Sequence, residues 1–90
     1  MYEWDEAKRE ASLRKHGLDF ADAYLVCEHP EKLMLLSART DEQRRMDLAL
    51  VEVHGSLLCV VCTERGNDIR IISFRRASRR ERRLYAAAKN

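Results

Sequence analysis

Between Arg45 and Phe74, three apolar and β-branched runs are separated by two short turn signals, a pattern that leaves this chain little alternative to an antiparallel sheet. The runs are Arg45 to Val53, Ser56 to Glu64 and Ile69 to Phe74, and the signals are His54-Gly55 and Gly66-Asn67-Asp68. Glycine, asparagine and aspartate tolerate positive φ or make local side-chain turns, so such clusters join strands that run in opposite directions. In the first run Ala49, Val51 and Val53 share one face while Met46, Leu48 and Leu50 share the other. Both faces of the sheet are therefore expected to be at least partly covered.

The covering elements lie on either side of these runs. Met1 to Trp4 reads as extended, Asp5 as a helix N-cap, Glu6 to His16 as a helix and Gly17 as its left-handed stop. That helix has few apolar members, so Trp4 and Leu13 are expected to anchor it. Asp19 starts a second helix from Phe20 to about Glu28, with Phe20, Ala23, Tyr24 and Cys27 on one face and Pro30 beyond its end. Leu33 to Ser37 is a short strand, and Ala38 to Arg44 a polar, mobile loop. Ser78 followed by Glu81 is a capping box that starts a last helix at about Arg79. Its apolar stripe is Ala77, Leu84 and Ala88, with Tyr85 on the flank and Glu81 within it. The order is β-α-α-β-β-β-β-α in one 90-residue domain, an α+β fold with two N-terminal helices and one basic C-terminal helix on a mainly antiparallel sheet.

Charge is distributed unevenly along this framework. From Arg65 to Asn90 there are nine Lys/Arg against two Asp/Glu, while the preceding residues hold eight bases and thirteen acids. The basic end is almost all arginine, whose planar fork suits phosphate. A solvated helix face is one explanation, and a nucleic-acid or acidic-partner surface the other. Three cysteines, an odd number, argue against a closed disulfide framework. Cys59 and Cys62 have C-x-x-C spacing, but inside a strand they point to opposite faces, so no metal site is expected there, and Cys27 reads as a core residue. No apolar run reaches membrane-spanning length and the first residues are unlike a signal peptide, so a cytoplasmic location is expected.

A family resemblance joins these features. Trp4-Asp5 with Lys8, Lys15-His16-Gly17, Asp19-Phe20 with Ala23, Thr63-Glu64-Arg65-Gly66, and Ile69-Arg70-Ile71-Ile72-Ser73 followed by Arg75, Ala77, Glu81-Arg82 and Tyr85 resemble the BrnT ribonuclease toxins. The resemblance runs from about Trp4 to Tyr85. The chain departs from the family pattern at Glu42-Gln43, at Leu50 and at Phe74, and keeps the arginine at Arg45. The resemblance implies a RelE-like fold and metal-independent RNA cleavage that inhibits translation and growth, with no cofactor. It also implies a BrnA-like, ribbon-helix-helix antitoxin, a complex of two copies each, and operator DNA bound through that complex.

Such chemistry needs a base near the 2′-hydroxyl, an acid near the leaving 5′-oxygen, and cations around the phosphorane. Arg65, Arg70 and Arg75 are expected to converge on one phosphate, joined by Arg45 from the preceding strand. None of them can be the base, because arginine stays protonated. The catalytic candidates are His16, Glu64, Arg65, Arg75 and Tyr85; Lys8, Arg45, Arg70, Arg76, Arg79 and Arg80 are candidate RNA contacts. His16 reads equally as a helix C-terminal histidine, Glu64 as an ion-pair partner, and Glu81 as a cap or a clamp on Arg70 or Arg75. Tyr85 divides between core and site, and His29 and His54 read as loop residues. A non-catalytic nucleic-acid-binding subunit of a repressor complex is the alternative class, followed by a structural domain with a solvated helix.

Overall fold

The computed structural model describes residues 1–37, 44–51 and 55–89. The expected loop over Ala38 to Arg44 lies outside them except for Arg44, as do Glu42, Gln43, Val53 and His54. A five-stranded sheet, mostly antiparallel, carries three helices. In chain order the elements are β1 (Tyr2–Glu3), α1 (Glu6–His16), a single 3₁₀ turn (Phe20–Asp22), α2 (Tyr24–Cys27), β2 (Leu33–Ser37), β3 (Arg44–Val51), β4 (Ser56–Arg65), β5 (Asp68–Arg76) and α3 (Arg79–Lys89). Strand order across the sheet is β1-β5-β4-β3-β2, and only the β1–β5 pair is parallel.

The β4–β5 turn forms where the sequence signals it. Gly66 takes φ 60° and Arg65 pairs with Asp68, while no non-glycine among the described residues has positive φ. Glycine at the first central position with a negative φ at the second is the type II′ arrangement, whose twist matches that of the flanking strands. Farther along β5 the register shifts: Val61 pairs with Ser73 but Cys62 pairs with Ile71, so Ile72 is an extra residue. This bulge inverts the alternation. Residues 70 and 75 are an odd number apart and would face opposite sides of a regular strand. With Ile72 inserted, Arg70 (opposite Thr63) and Arg75 (opposite Cys59) share one face, and Ile71 and Phe74 share the other.

Each face then builds its own core. One face gathers Ala49, Val51, Leu58, Val60, Cys62, Ile71 and Phe74 under Leu18, Phe20, Ala23, Val26 and Cys27. The other gathers Leu48 and Cys59 with Ala77, and Met46, Leu57, Val61 and Tyr85 pack around them. We refer to these as the α1–α2 face and the α3 face.

Two expectations about the helices are corrected. The segment after Asp19 is not one helix to Glu28 but a 3₁₀ turn followed by one α-turn, with Ala23 between them. That break rotates the phase, so Val26 is fully buried while Tyr24 is 45% exposed, the reverse of a continuous amphipathic helix. Leu13 is also exposed and does not anchor α1. Trp4, the other expected anchor, meets the Phe20 ring edge-on at 6.5 Å, and an Arg9–Asp19 fork at 2.9 and 3.1 Å takes the place of Leu13. The Ser12 hydroxyl donates to the Phe74 carbonyl along β5. Asp5 caps the first turn and Gly17, at φ 70°, closes the last, as the sequence predicts.

Phe74 fills the α1–α2 core with no exposure, next to the bulge that sets both faces. Phe74→Ala is expected to cost about 3–5 kcal/mol of unfolding free energy in denaturant titration, as for other buried phenylalanines. Leu50→Ala, at a half-exposed position, should cost less than about 1 kcal/mol.

Candidate active site on the α3 face

The start of α3 is fixed by one carboxylate. The Ser78 amide donates to Glu81 Oε1 at 2.7 Å and the Glu81 amide to Ser78 Oγ at 3.2 Å, which completes the capping box. The same carboxylate accepts from both terminal nitrogens of Arg75, at 2.7 and 2.9 Å. Of the two clamps the sequence allowed, the structure has the one on Arg75, while Arg70 lies 3.8 Å from Glu3. The Arg75 fork, together with the Ser78 bonds, outweighs burial and holds the Glu81 carboxyl at about 2, well below the usual carboxylate range. Glu81 is thus ionised throughout neutral pH and is no proton donor. Its neighbour Cys59 is pushed up to about 12 by burial and stays a thiol.

From this anchor α3 crosses the sheet. Lys89 at its far end donates to the Glu31 carbonyl at 2.7 Å, just ahead of β2, and lies 5.3 Å from the Tyr85 ring centroid. Tyr85 packs half-buried on the sheet, but Leu84 is 39% exposed and belongs less to the stripe than expected. Arg79, Arg80, Arg82 and Arg83 are all exposed along the helix. Toward the β4–β5 turn the same sheet face carries a cross-strand row of Arg44, Thr63 and Arg70, in register across β3, β4 and β5. Thr63 lies buried between the two arginines, and its hydroxyl has no hydrogen-bond partner among the described residues. Arg65 stands two residues further along β4 on this face.

The sequence-derived candidates are therefore divided among three places. Arg65, Arg70, Arg75 and Tyr85 share the α3 face, with Arg79 and Arg80 on the helix that crosses it. Arg70 and Arg75 are separated by about 15 Å of strand, so they form two stations instead of one phosphate pocket. His16 is at the edge of β5, where its carbonyl accepts from Arg76 at 2.9 Å, and Lys8 is exposed on the same helix. Arg45 and Glu64 point to the α1–α2 face. There Arg45 is buried and pairs with Glu64 and with Asp47, and Lys32 reaches the same Asp47 carboxylate at 3.1 Å. Glu64 thus has an ion-pair partner, in Arg45 across the strands, and Arg45 is an internal cation.

Three residues of this arrangement escaped the sequence reading. Thr63 and Arg44 become visible only through cross-strand register, and Asp47 is a buried acid within an apolar run. Its position on the Arg45 side of the alternation was the available signal. Cys59 and Cys62 do face opposite sides, as expected, but Cys62 meets Cys27 and Asp47, all three within 4.8 Å. A metal at that cluster would have to displace Lys32 and Arg45 from Asp47, a poor exchange for a buried carboxylate.

Comparison with known families settles the class of protein. The family model described as "Ribonuclease toxin, BrnT, of type II toxin-antitoxin system" matches residues 4–81. The chain belongs to the BrnT family. It is thus a ribonuclease toxin of a type II toxin–antitoxin system, and that class implies an antitoxin partner. No curated protein matches the chain. The matched region of this BrnT-family chain includes the arginine row on β4 and β5 and ends at Glu81, the α3 anchor. No helix among the described residues is long and apolar enough to cross a membrane.

The anchor is testable by pH. Because the folded-state value of Glu81 is depressed, its stabilisation is fully present above about pH 4.5 and is lost as pH falls toward 2. Glu81→Gln should lower stability at pH 7 by about 2 kcal/mol. It should also flatten the acid limb of a stability-versus-pH curve, which thermal melts from pH 7 to pH 2.5 would measure.

Proposed function

We propose that this chain is an endoribonuclease that cleaves RNA without a metal ion, on the α3 face of a RelE-like sheet. The supporting observation is the shared face of Arg65, Arg70, Arg75 and Tyr85, flanked by the helix arginines. An RNA strand would follow Arg79 and Arg80, with Arg76 and Lys8 at the β5 edge, and would pass its scissile phosphate over Arg70 and Arg65. The 2′-hydroxyl oxygen attacks phosphorus, the P–O5′ bond breaks, and a 2′,3′-cyclic phosphate and a 5′-hydroxyl result. Guanidiniums supply the charge stabilisation that a metal would otherwise give to the phosphorane. Tyr85 presents a ring for base stacking and a hydroxyl for proton transfer, while His16, at the Arg76 end of β5, stands apart from the Arg70 station. Arg75, held by Glu81, orients α3 and adds positive field, and Arg45 with Glu64 supports β3 and β4 from behind.

Growth arrest in the cytoplasm through loss of translated RNA is the physiological outcome of this reading. Silencing would come from a ribbon-helix-helix antitoxin that covers the arginine face, in a complex of two copies each that binds its own operator. A second reading has one observation in its favour: the Arg75 charge is already neutralised by Glu81. A non-catalytic RNA-binding or repressor subunit would need only the exposed helix arginines.

Induction of the chain in bacterial cells, with RNA cleavage by the purified protein in EDTA, separates these readings. Active protein should give EDTA-resistant fragments ending in cyclic phosphate. Arg70→Ala should lower the rate by about 10²–10³-fold, as removal of a transition-state donor does. His16→Ala should cost about 10²-fold or more if its imidazole moves a proton, and little if it only closes α1. Salt-dependent RNA binding without turnover would give the second reading the advantage.

A further inference from the structure

The ribonuclease reading makes no use of the buried thiols. Cys27 ends α2 and Cys62 lies in β4, and their sulfurs meet under the α1–α2 face, within 4.8 Å of each other and of an Asp47 carboxylate oxygen. Cys62 sits opposite Arg45 in the β3–β4 register. Asp47 is held by Lys32 at 3.1 Å and by Arg45 at 3.2 Å, so its charge is compensated in place and the two sulfurs are left facing each other. The third cysteine, Cys59, is in the other core, beside Glu81, with the sheet between it and this pair.

We propose that Cys27 and Cys62 are a peroxide-oxidisable thiol pair that closes to an intramolecular disulfide. The two sulfurs have different roles. The Cys27 S–H bond and the Arg45 charge hold the Cys62 thiol below its usual range despite burial, while donation to Cys62 and burial push Cys27 well up. Cys62 is thus the more acidic of the two thiols and Cys27 the one that holds its proton more firmly, the division between an attacking and a resolving thiol. Cys62 Sγ attacks one oxygen of hydrogen peroxide, the O–O bond breaks, and the departing hydroxide takes a proton to leave as water. Cys27 Sγ then attacks the sulfenic sulfur, an S–S bond forms, and the S–O bond breaks with loss of a second water. One peroxide and two thiols give one disulfide and two waters.

The bond would tie α2 to β4 and close a loop containing all of β2 and β3. Arg45 would then be shared by Asp47 and Glu64 alone. Burial makes the reaction slow: Cys62 has no exposure, and Cys27, at 6%, offers the rim by which a molecule of nearly water's size arrives.

Thiol counting tests this without any assay of RNA cleavage. The reduced native chain is exposed to hydrogen peroxide, quenched with catalase and titrated with Ellman's reagent in guanidinium. Free thiols should fall from three to one per chain, with a mass lower by two hydrogens, and dithiothreitol should restore all three. Peptide mapping of the wild-type chain should link Cys27 to Cys62. Cys59→Ser should lose both its remaining thiols, and Cys27→Ser should stop at a dimedone-reactive sulfenic acid on Cys62. Retention of all three thiols under conditions that oxidise the same chain in guanidinium would overturn the proposal. So would a disulfide that includes Cys59, and because the mapping uses wild-type protein, neither result depends on a variant that folds.

Discussion

One extra residue in β5 decides what each face of this protein can do. Without the bulge at Ile72, the alternation that buries Ile71 would send Phe74 to the α3 face and Arg75 into the α1–α2 core. A guanidinium there would meet Leu58, Val60 and Phe20, on the far side of the sheet from Glu81, and a phenylalanine would replace the Arg75–Glu81 fork that starts α3. The insertion thus serves packing and electrostatics together. It keeps two large apolar side chains three residues apart on one side and two arginines five residues apart on the other.

The second dependence follows from the first. Glu81 is the one buried residue of α3, and among the described residues the helix covers the sheet mainly through Tyr85 and the preceding Ala77. Its attachment therefore relies on charge-assisted bonds more than on buried apolar area. Breaking a partly buried pair leaves an uncompensated charge, so the Arg75 fork is costly to lose, even though such pairs contribute modestly when formed. This couples helix to site: whatever drew Arg75 away from Glu81, such as a phosphate or an acidic partner segment, would also loosen the first turn of α3. The exposed arginines at 79, 80, 82 and 83 would be free to move with that turn.

Much of this was legible in the residues, for reasons that also explain what was not. The Ser78–Glu81 box, the Asp5 and Gly17 caps and the Gly66 turn are local devices, in which a few neighbouring residues carry all the information, and each forms as expected. The helix after Asp19 was misread because Phe20, Ala23 and Cys27 satisfy a helical period even when the chain changes from 3₁₀ to α geometry at Ala23. The division of the arginines, expected on one phosphate, into two stations on one face could not be read. It depends on counting faces through a bulge that has no signature in Ile-Ile-Ser, and on cross-strand register that puts Thr63 between Arg44 and Arg70.

The same limitation applies to charge. A basic C-terminal segment suggests anion binding, yet guanidiniums of one chemical type have three different fates here. Arg45 is buried against Asp47 and Glu64, Arg75 is saturated by Glu81, and Arg79, Arg80, Arg82 and Arg83 face solvent. Only cations whose carboxylate partners are weak or distant gain energy from a phosphate, because exchanging one strong partner for another yields little net free energy. By that criterion Arg70, at 3.8 Å from a half-exposed Glu3, is better placed than Arg75 to take up the growing charge of a phosphorane. The bulge, by turning Arg75 onto the face that already carries Arg70, lets Glu81 fix α3 and the Tyr85 ring on that same face.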